Sequence, residues 1–420
     1  MTPMHDQEPS PGHADRRLTT KEAAELLGVK PETVYAYVSR GQLSSRRVAG
    51  GRGSTFEAAE VEALARRNRR DSGGTPASGG ELAVRTRITL IESDRYYFRG
   101  VDATELATRH SYEEVAEWLW TGTLRPGITF TAPESSVATA RRAVEALPEH
   151  TGPTDRLRVA AIAAAVADPL RFDLSEDAVL GTARSLIPTL VAALPARRGH
   201  RDEGPLAHRL WARLTGRDAD EASLRVLDTA LALLVDHDLA ASTLAVRVAA
   251  SARAHAYAAV SAGLGVLEGP LHGAASGVAH RLLMDVLDEG DAAPVIADEL
   301  RAGRRVPGLG HRLYPGEDPR ARVLFGLLED IPRAAPALAA ARDIVATTAR
   351  HTPLHANVDL ALAVFTASSG MQATAGETIF AVARTAGWIA HALEEYGERP
   401  LRMRPSGHYV GPKPPQPLPE

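Results

Sequence analysis

The sequence predicts an all-α protein in two parts, a small basic module followed by a large helical body, and three observations carry that reading. Apolar residues recur at helical spacing through most of the chain. In the clearest case Leu224, Leu227, Leu231 and Leu234 fall on one face of a helix that Asp220 is placed to cap. Strand signals are confined to 84–98, VRTRITLIESDRYYF, where Thr, Ile and aromatic residues predict one short hairpin. A Gly/Ser/Pro-rich stretch at 71–80 reads as a flexible linker between a module at 16–70 and a body at 81–420. Residues 1–15 are polar and are expected to be disordered, and the Pro-rich tail at 411–420 to be extended.

Composition narrows the function. The 420 residues are 44% hydrophobic and 24% charged, ordinary for a globular chain with a real core, and only 5% aromatic, so aliphatic residues must fill that core. With no cysteine, thiolate metal sites, disulfides and a Cys nucleophile are excluded. A net charge of −4 gives no whole-chain argument for nucleic acid or membrane. The start has no apolar segment of a secretory signal, and 255–269 is shorter than the ~20 residues of a membrane span. The chain is therefore expected in the cytoplasm. Lysine occurs only at Lys21, Lys30 and Lys413, so a lone arginine means little in so arginine-rich a chain.

Along the module, LTTKEAAELLGVKPETVYAYVSRG at 18–41 has a helix-turn-helix pattern. Thr20 is expected to cap a first helix beginning at Lys21, Gly28 to make the turn, and Pro31 to open a second helix. That helix is expected to turn Thr33 and Tyr35 outward while Val34 and Val38 pack inward. Arg46, Arg47 and Arg52 follow in a Gly-rich segment suited to a wing against phosphates. Over 16–70 twelve basic residues face six acidic ones, a local +6 that contrasts with the whole chain. The module resembles the winged helix-turn-helix of MerR-like and excisionase-like regulators. The resemblance implies DNA contact through Thr33, Tyr35, Arg46, Arg47 and Arg52; the competing reading is an add-on that touches only protein.

In the body, 113–120, 182–195 and 376–396 read as further helices. Four segments set His, Asp or Arg among Gly, Pro or small polar residues: VDHDLAAST at 235–243, EGPLHGAAS at 268–276, VPGLGHRLYPGEDPRA at 306–321 and HANVD at 355–359. AVARTAGW at 381–388 and RPSGHYVG at 404–411 add arginines. In a helical protein such interruptions mark where backbone and side chains converge on a ligand. Taken singly they are weak. Gly308-Leu309-Gly310 lacks the third glycine and preceding strand of a dinucleotide loop. His351 and His355 have metal-ligand spacing but no carboxylate partner, so no metal is expected.

In their order, with YYFRGVDATELA at 96–107, these blocks resemble the citrate synthase family over 81–420. The resemblance implies large and small helical domains, the small one at about 275–370, closing over substrate in a homodimer with no cofactor and no metal. It implies condensation of acetyl-CoA, a substrate, with oxaloacetate. Asp359 of NVD would be the base that takes a methyl proton, His272 of GPLHG the donor to the thioester carbonyl, and His311 of GHRLY the donor to the ketone. His237, Arg320, Arg384 and Arg404 would hold oxaloacetate, Arg404 by reaching into the neighbouring subunit. Arg304, Arg305 and Arg322 flank the His311 block and are expected to meet coenzyme A phosphates. Departures from the family pattern surround the site: Ala274 and Ser276 follow His272, Ala356 precedes NVD, Leu360–Ala363 follow it, and Ser406 and Gly407 stand in the terminal block. They leave two further readings beside citrate formation: 2-methylcitrate formation from propionyl-CoA, and a DNA-binding regulator whose body senses a metabolite and dimerises.

Overall fold

In a computed structural model, residues 17–27, 29, 31–39, 43–47, 54–71, 84–197, 204–269, 272–273, 275–405, 408–413, 415–416 and 418 are described. The expected disorder of 1–15, the linker after Asp71 and Arg52 lie outside the described residues, as does the side chain of Arg47. The chain divides into two compact units, one ending at Arg85 and one beginning at Thr86.

The first unit runs β1 (Arg17–Thr19), α1 (Thr20–Leu27), α2 (Pro31–Ser39), β2 (Ser45–Arg47), β3 (Ser54–Glu57) and α3 (Ala58–Asp71). Its sheet has the antiparallel order β1-β3-β2, with Leu18 opposite Phe56 and Arg46 opposite Thr55. Strands β2 and β3 pair antiparallel where the Gly-rich segment was expected to form a wing. Pro31 opens α2 as expected. The cap of α1 is Thr19 and not Thr20: Thr19 N–H and Oγ1 meet Glu22 Oε2 at 2.7 and 2.8 Å, and Glu22 N–H returns to Thr19 Oγ1 at 3.3 Å. Ala23, Ala24, Val34, Leu43, Phe56, Val61 and Leu64 form the core of this unit.

The second unit begins with an antiparallel sheet, β4 (Thr89–Glu92), β5 (Arg95–Phe98) and the short β6 (Val101–Asp102), so the expected hairpin gains a third strand. Helices follow: α4 (Ala103–Arg109), α5 (Tyr112–Thr121), α6 (Glu134–Glu145), α7 (Pro153–Ala167), α8 (Glu176–Ala193), α9 (Leu206–Leu214), α10 (Glu221–Leu234), α11 (Ala241–Ser251), α12 (Ala256–Leu267), α13 (Ala275–Glu289), α14 (Ala292–Arg301), α15 (Pro319–Glu329), α16 (Ala335–Ala349), α17 (Val358–Ser368) and α18 (Ala375–Tyr396). Asp220 caps α10 by accepting from Ser223 N–H at 2.8 Å, as its position predicts. The helix expected at 182–195 runs from Glu176 to Ala193, with Pro188 inside it.

Helix α18 is the axis of this unit. It is buried almost throughout, including Arg384, Trp388, His391 and Glu395, and packs against α8, α10, α11 and α12. Helices α13, α14, α16 and α17 pack on one another, and α15 bridges α17 to α10. Among the described residues no helix is long and apolar enough to cross a membrane.

Candidate active site

Two glycine-flanked loops are zipped together and carry the first pair of functional side chains. Gly310 N–H donates to His355 O at 2.8 Å, Asn357 N–H to Gly308 O at 3.0 Å, and Asn357 Nδ2 to Gly310 O at 2.9 Å. Gly308 and Gly310 have φ of +80° and +74°, and a Cβ on Gly308 would lie 2.9 Å from Leu360 Cβ, so the GLG sequence is what this close approach requires. The zip sets His311 beside α17, whose cap Asn357 accepts from Asp359 N–H at 2.9 Å.

His311 Nδ1 accepts the Leu313 N–H at 3.1 Å. A main-chain amide can only donate, so the neutral ring carries its proton on Nε2. Burial and the Arg320 and Arg312 charges push His311 down to about 4, which keeps it neutral at physiological pH. Its ring stands 5.1 Å from His237 and 4.8 Å from Tyr314, and His237 Nε2 is hydrogen-bonded to Tyr314 Oη at 2.8 Å. His237 is also held neutral, by burial and then by Arg320, Arg384 and His311.

Arg320 sits in the first turn of α15 and is clamped by the cap of that helix: Nε and Nη2 lie 3.0 and 2.7 Å from the Asp318 carboxylate, which also accepts Val358 N–H at 3.0 Å. Burial works against the Arg320 charge and Asp318 outweighs it. Asp359 lies close enough to feel both residues. Its carboxylate accepts no hydrogen bond among the described residues, and burial, opposed by Arg320 and reinforced by Asp318, pushes it up to about 6. It is thus a carboxylate poised as a proton acceptor near neutrality.

His272 stands on the other wall. Its Nε2 lies 2.7 Å from Ser242 Oγ and accepts Ser242 N–H at 3.4 Å, so Nδ1 carries the proton. Trp388 Nε1–H reaches the same Ser242 Oγ at 3.3 Å. Burial and Arg384 hold His272 below its ordinary value. Its ring is 6.3 Å from Phe380, whose face lies 4.5 Å from the Arg384 guanidinium. Arg384 donates Nε–H to Leu234 O at 2.9 Å, while its buried Nη2 has no partner among the described residues. Burial, opposed by Asp236 and deepened by Arg320, pushes it down to about 10.

The structure therefore gathers His237, His311, Arg320 and Arg384 around Tyr314, sets Asp359 near Arg320 and Asp318, and joins His272 to them through Phe380 and Arg384; among the described residues no direct contact links His272 to His311 or Asp359. Arg404 is exposed, beyond the turn at Leu401 that is tied to Ser251 O. Arg304 is doubly bonded to Glu299 at 2.8 Å, Arg305 is exposed, and Arg322 lies 3.6 Å from Glu317. In the first unit Tyr35 is 47% exposed, with Oη 3.2 Å from Thr20 Oγ1; Thr33 is half-buried and Arg46 exposed. Tyr314, Asp318, Ser242 and Phe380 were not singled out as site residues by sequence reasoning. The first three lie inside the quoted blocks, and only their contacts reveal what they do.

A helical fold that sets a carboxylate with a raised pKa, neutral imidazoles and two buried guanidinium groups in one region has the chemistry to exchange protons and to attract an anion. The chain belongs to the citrate synthase family: residues 78–406 match the model for the citrate synthase C-terminal domain. Residues 17–69 match a helix-turn-helix domain. The chain is 32% identical to the citrate synthase of Haloferax volcanii, over 80% of this chain and 95% of that protein. It is 26% identical to the 2-methylcitrate synthase of Shewanella oneidensis, over 81% and 95% respectively. The crystal structure of citrate synthase from Pyrobaculum aerophilum superposes with a TM-score of 0.68 at 25% identity, covering 80% of this chain and 92% of that one.

Proposed function

We propose that the protein condenses acetyl-CoA with oxaloacetate and water to give citrate and CoA. Asp359 takes a proton from the thioester methyl group while His272 Nδ1–H donates to the thioester oxygen, so that the enol forms without a free charge. The enol carbon then bonds to the ketone carbon as His311 Nε2–H donates to the ketone oxygen. Water subsequently cleaves the C–S bond of the citryl thioester. Arg384 and Arg320 bind the oxaloacetate carboxylates, with His237 beside them and Arg404 supplied by a second subunit. The small domain, at about 275–370, closes to exclude water during the condensation.

One observation supports this reading above the rest: the proton of each catalytic imidazole is placed by a main-chain amide on the opposite ring nitrogen, and a carboxylate that accepts no hydrogen bond among the described residues stands near the buried Arg320. The test is CoA release with oxaloacetate and acetyl-CoA, read with a thiol dye, since the protein has no cysteine to react. No release above background, with folded protein, refutes the assignment. Propionyl-CoA is the second acyl donor to assay, because a 2-methylcitrate synthase is among the relatives and one methylene is worth only ~1–3 kcal/mol.

The body forms a homodimer. Ile162, Val166, Leu170 and Phe172 recur every two to four residues at the end of α7 and beyond, each more than half exposed, an apolar run suited to burial against a second copy. The amino-terminal unit binds DNA through its wing and α2, and a dimer would supply two such modules.

A further inference from the structure

Behind Arg384 lies a cluster of ionisable side chains that the mechanism above does not use. Asp236, His391 and Glu395 are fully buried and Arg247 is 1% exposed. Arg384, Gly387 and His391 are spaced by three and four residues on α18, so they share one face. Gly387 has no room for a Cβ, which would lie 2.1 Å from Val235 O and 2.9 Å from Asp236 Oδ1. The helix therefore rests directly on Asp236.

Thr89 Oγ1 donates to the Asp236 carboxylate at Oδ2, 2.5 Å away, while His391 Nε2 lies 3.2 Å from Oδ1, within ion-pair range but without completing a hydrogen bond. The His391 ring is fixed in turn by Arg247, whose Nη1 lies 2.8 Å from Nδ1. A guanidinium can only donate, so Nδ1 accepts and the His391 proton sits on Nε2, facing Asp236. Arg247 is anchored by Glu394 at 2.8 Å and Glu395 at 3.2 Å. Arg402 grips Glu395 with Nε and Nη2 at 2.8 and 2.6 Å, tying down the turn that precedes Arg404.

Burial raises the Asp236 carboxyl, but His391, Arg384 and Thr89 outweigh it and hold it below the usual carboxylate range. It is an anion, and its charge opposes the desolvation that disfavours the Arg384 guanidinium. It also immediately precedes His237. A buried cation with no adjacent anion would either lose charge or draw in water, and in both cases it would present a poorer fork to a carboxylate.

We propose that Asp236 and His391 are positioning residues for Arg384, keeping its guanidinium charged and aimed at the substrate carboxylate. The inference rests on the reading that Arg384 binds oxaloacetate. Arg247, Glu394 and Glu395 complete the support by fixing the His391 tautomer.

The test uses the full-length protein with Asp236→Asn, His391→Gln and His391→Met. Steady-state turnover gives kcat and both KM values, calorimetry gives oxaloacetate affinity independently of turnover, and thermal unfolding confirms that each variant is folded. Asp236→Asn is expected to weaken oxaloacetate binding and raise its KM by about 10-fold or more, leaving the acetyl-CoA KM within about twofold. His391→Gln keeps an N–H for Asp236 and is expected within about threefold of wild type, whereas His391→Met behaves like Asp236→Asn. Folded Asp236→Asn protein with unchanged oxaloacetate affinity, or with both KM values raised together, overturns the proposal. If Asp236→Asn does not fold, equal oxaloacetate KM values for the Gln and Met variants overturn it instead. Wild-type protein that neither turns over nor binds oxaloacetate sinks the underlying site assignment, whereas a working wild type with an indifferent Asp236→Asn variant sinks this inference alone.

Discussion

Replacing Asp359 by Asn is expected to make the enzyme slower and more stable at once. The substitution keeps shape and volume but removes the proton acceptor, and a positioned general base is worth about 10²–10⁴ in rate. The stability gain follows from the same environment. Burial lifts the Asp359 carboxyl from 3.8 to about 6, so the folded protein binds this proton more tightly than the unfolded chain does. Ionised Asp359 therefore costs nothing below the unfolded value and costs progressively more as pH rises through the folded one. At pH 7.5 the cost is on the order of 3 kcal/mol, falling to about half of that near pH 5. Asn carries no such cost, and the lost attraction to Arg320 is small because Asp318 already pairs with that guanidinium. Urea unfolding at pH 7.5 should show the variant more stable by about 1–3 kcal/mol, with the difference narrowing towards pH 5. Wild-type kcat/KM should rise with pH through about 6 as the base ionises. Near-native turnover in the variant would remove Asp359 from the mechanism. A variant less stable than wild type at pH 7.5 would refute the account of its burial.

Ser242→Ala frees Nε2 of His272 from the hydroxyl and should lower kcat by about 10-fold or more through loss of ring orientation, with oxaloacetate KM little changed. Arg384→Lys cannot present a planar fork and should raise the oxaloacetate KM by about 10–100-fold, measured at saturating acetyl-CoA. Full-length protein should bind duplex DNA with an affinity that falls as salt rises. Arg46→Ala should weaken it on all sequences and reduce the salt slope by about one, read by fluorescence anisotropy.

What was legible in the sequence depended on whether neighbours along the chain or across it fix a residue. The α10 stripe and its Asp220 cap are local, and so is the Pro31 helix start; each stands where spacing placed it. The cap of α1 shifted by one residue because Thr19 and Thr20 are chemically alike and only the reach of Glu22 distinguishes them. The Gly-rich, arginine-bearing segment suggested a wing but not its strands, since β2 is held through pairing with β3 rather than through its own apolar pattern. At the site, the blocks brought His237, His311 and Asp359 into view, but not the zip between the 308–310 and 355–357 main chains that brings the His311 and Asp359 segments together. Ser242 looks like an ordinary helix-start serine until His272, thirty residues later, is seen against it.

In the proposed mechanism, the arginines that hold the dicarboxylate also tune the imidazoles that act on it. Without substrate, Arg320 and Arg384 add to burial in depressing His237, while Arg320 depresses His311 and Arg384 depresses His272, so the imidazoles stay neutral and cannot protonate prematurely. Two bound carboxylates offset those cations, and the electrostatic part of the depression on His311 is relieved while its burial remains. Its pKa must therefore rise on substrate binding, which makes it a stronger participant as charge develops on the ketone oxygen. The order of events follows: the dicarboxylate first completes the electrostatics of the site, and the thioester is enolised into a cleft already primed to receive the enol. Histidine NMR on the Asp359→Asn variant, which binds oxaloacetate without consuming it, should show the His311 resonance titrating above its free-protein value of about 4. A lower value in the complex would mean that burial alone governs this ring and that the arginines only bind.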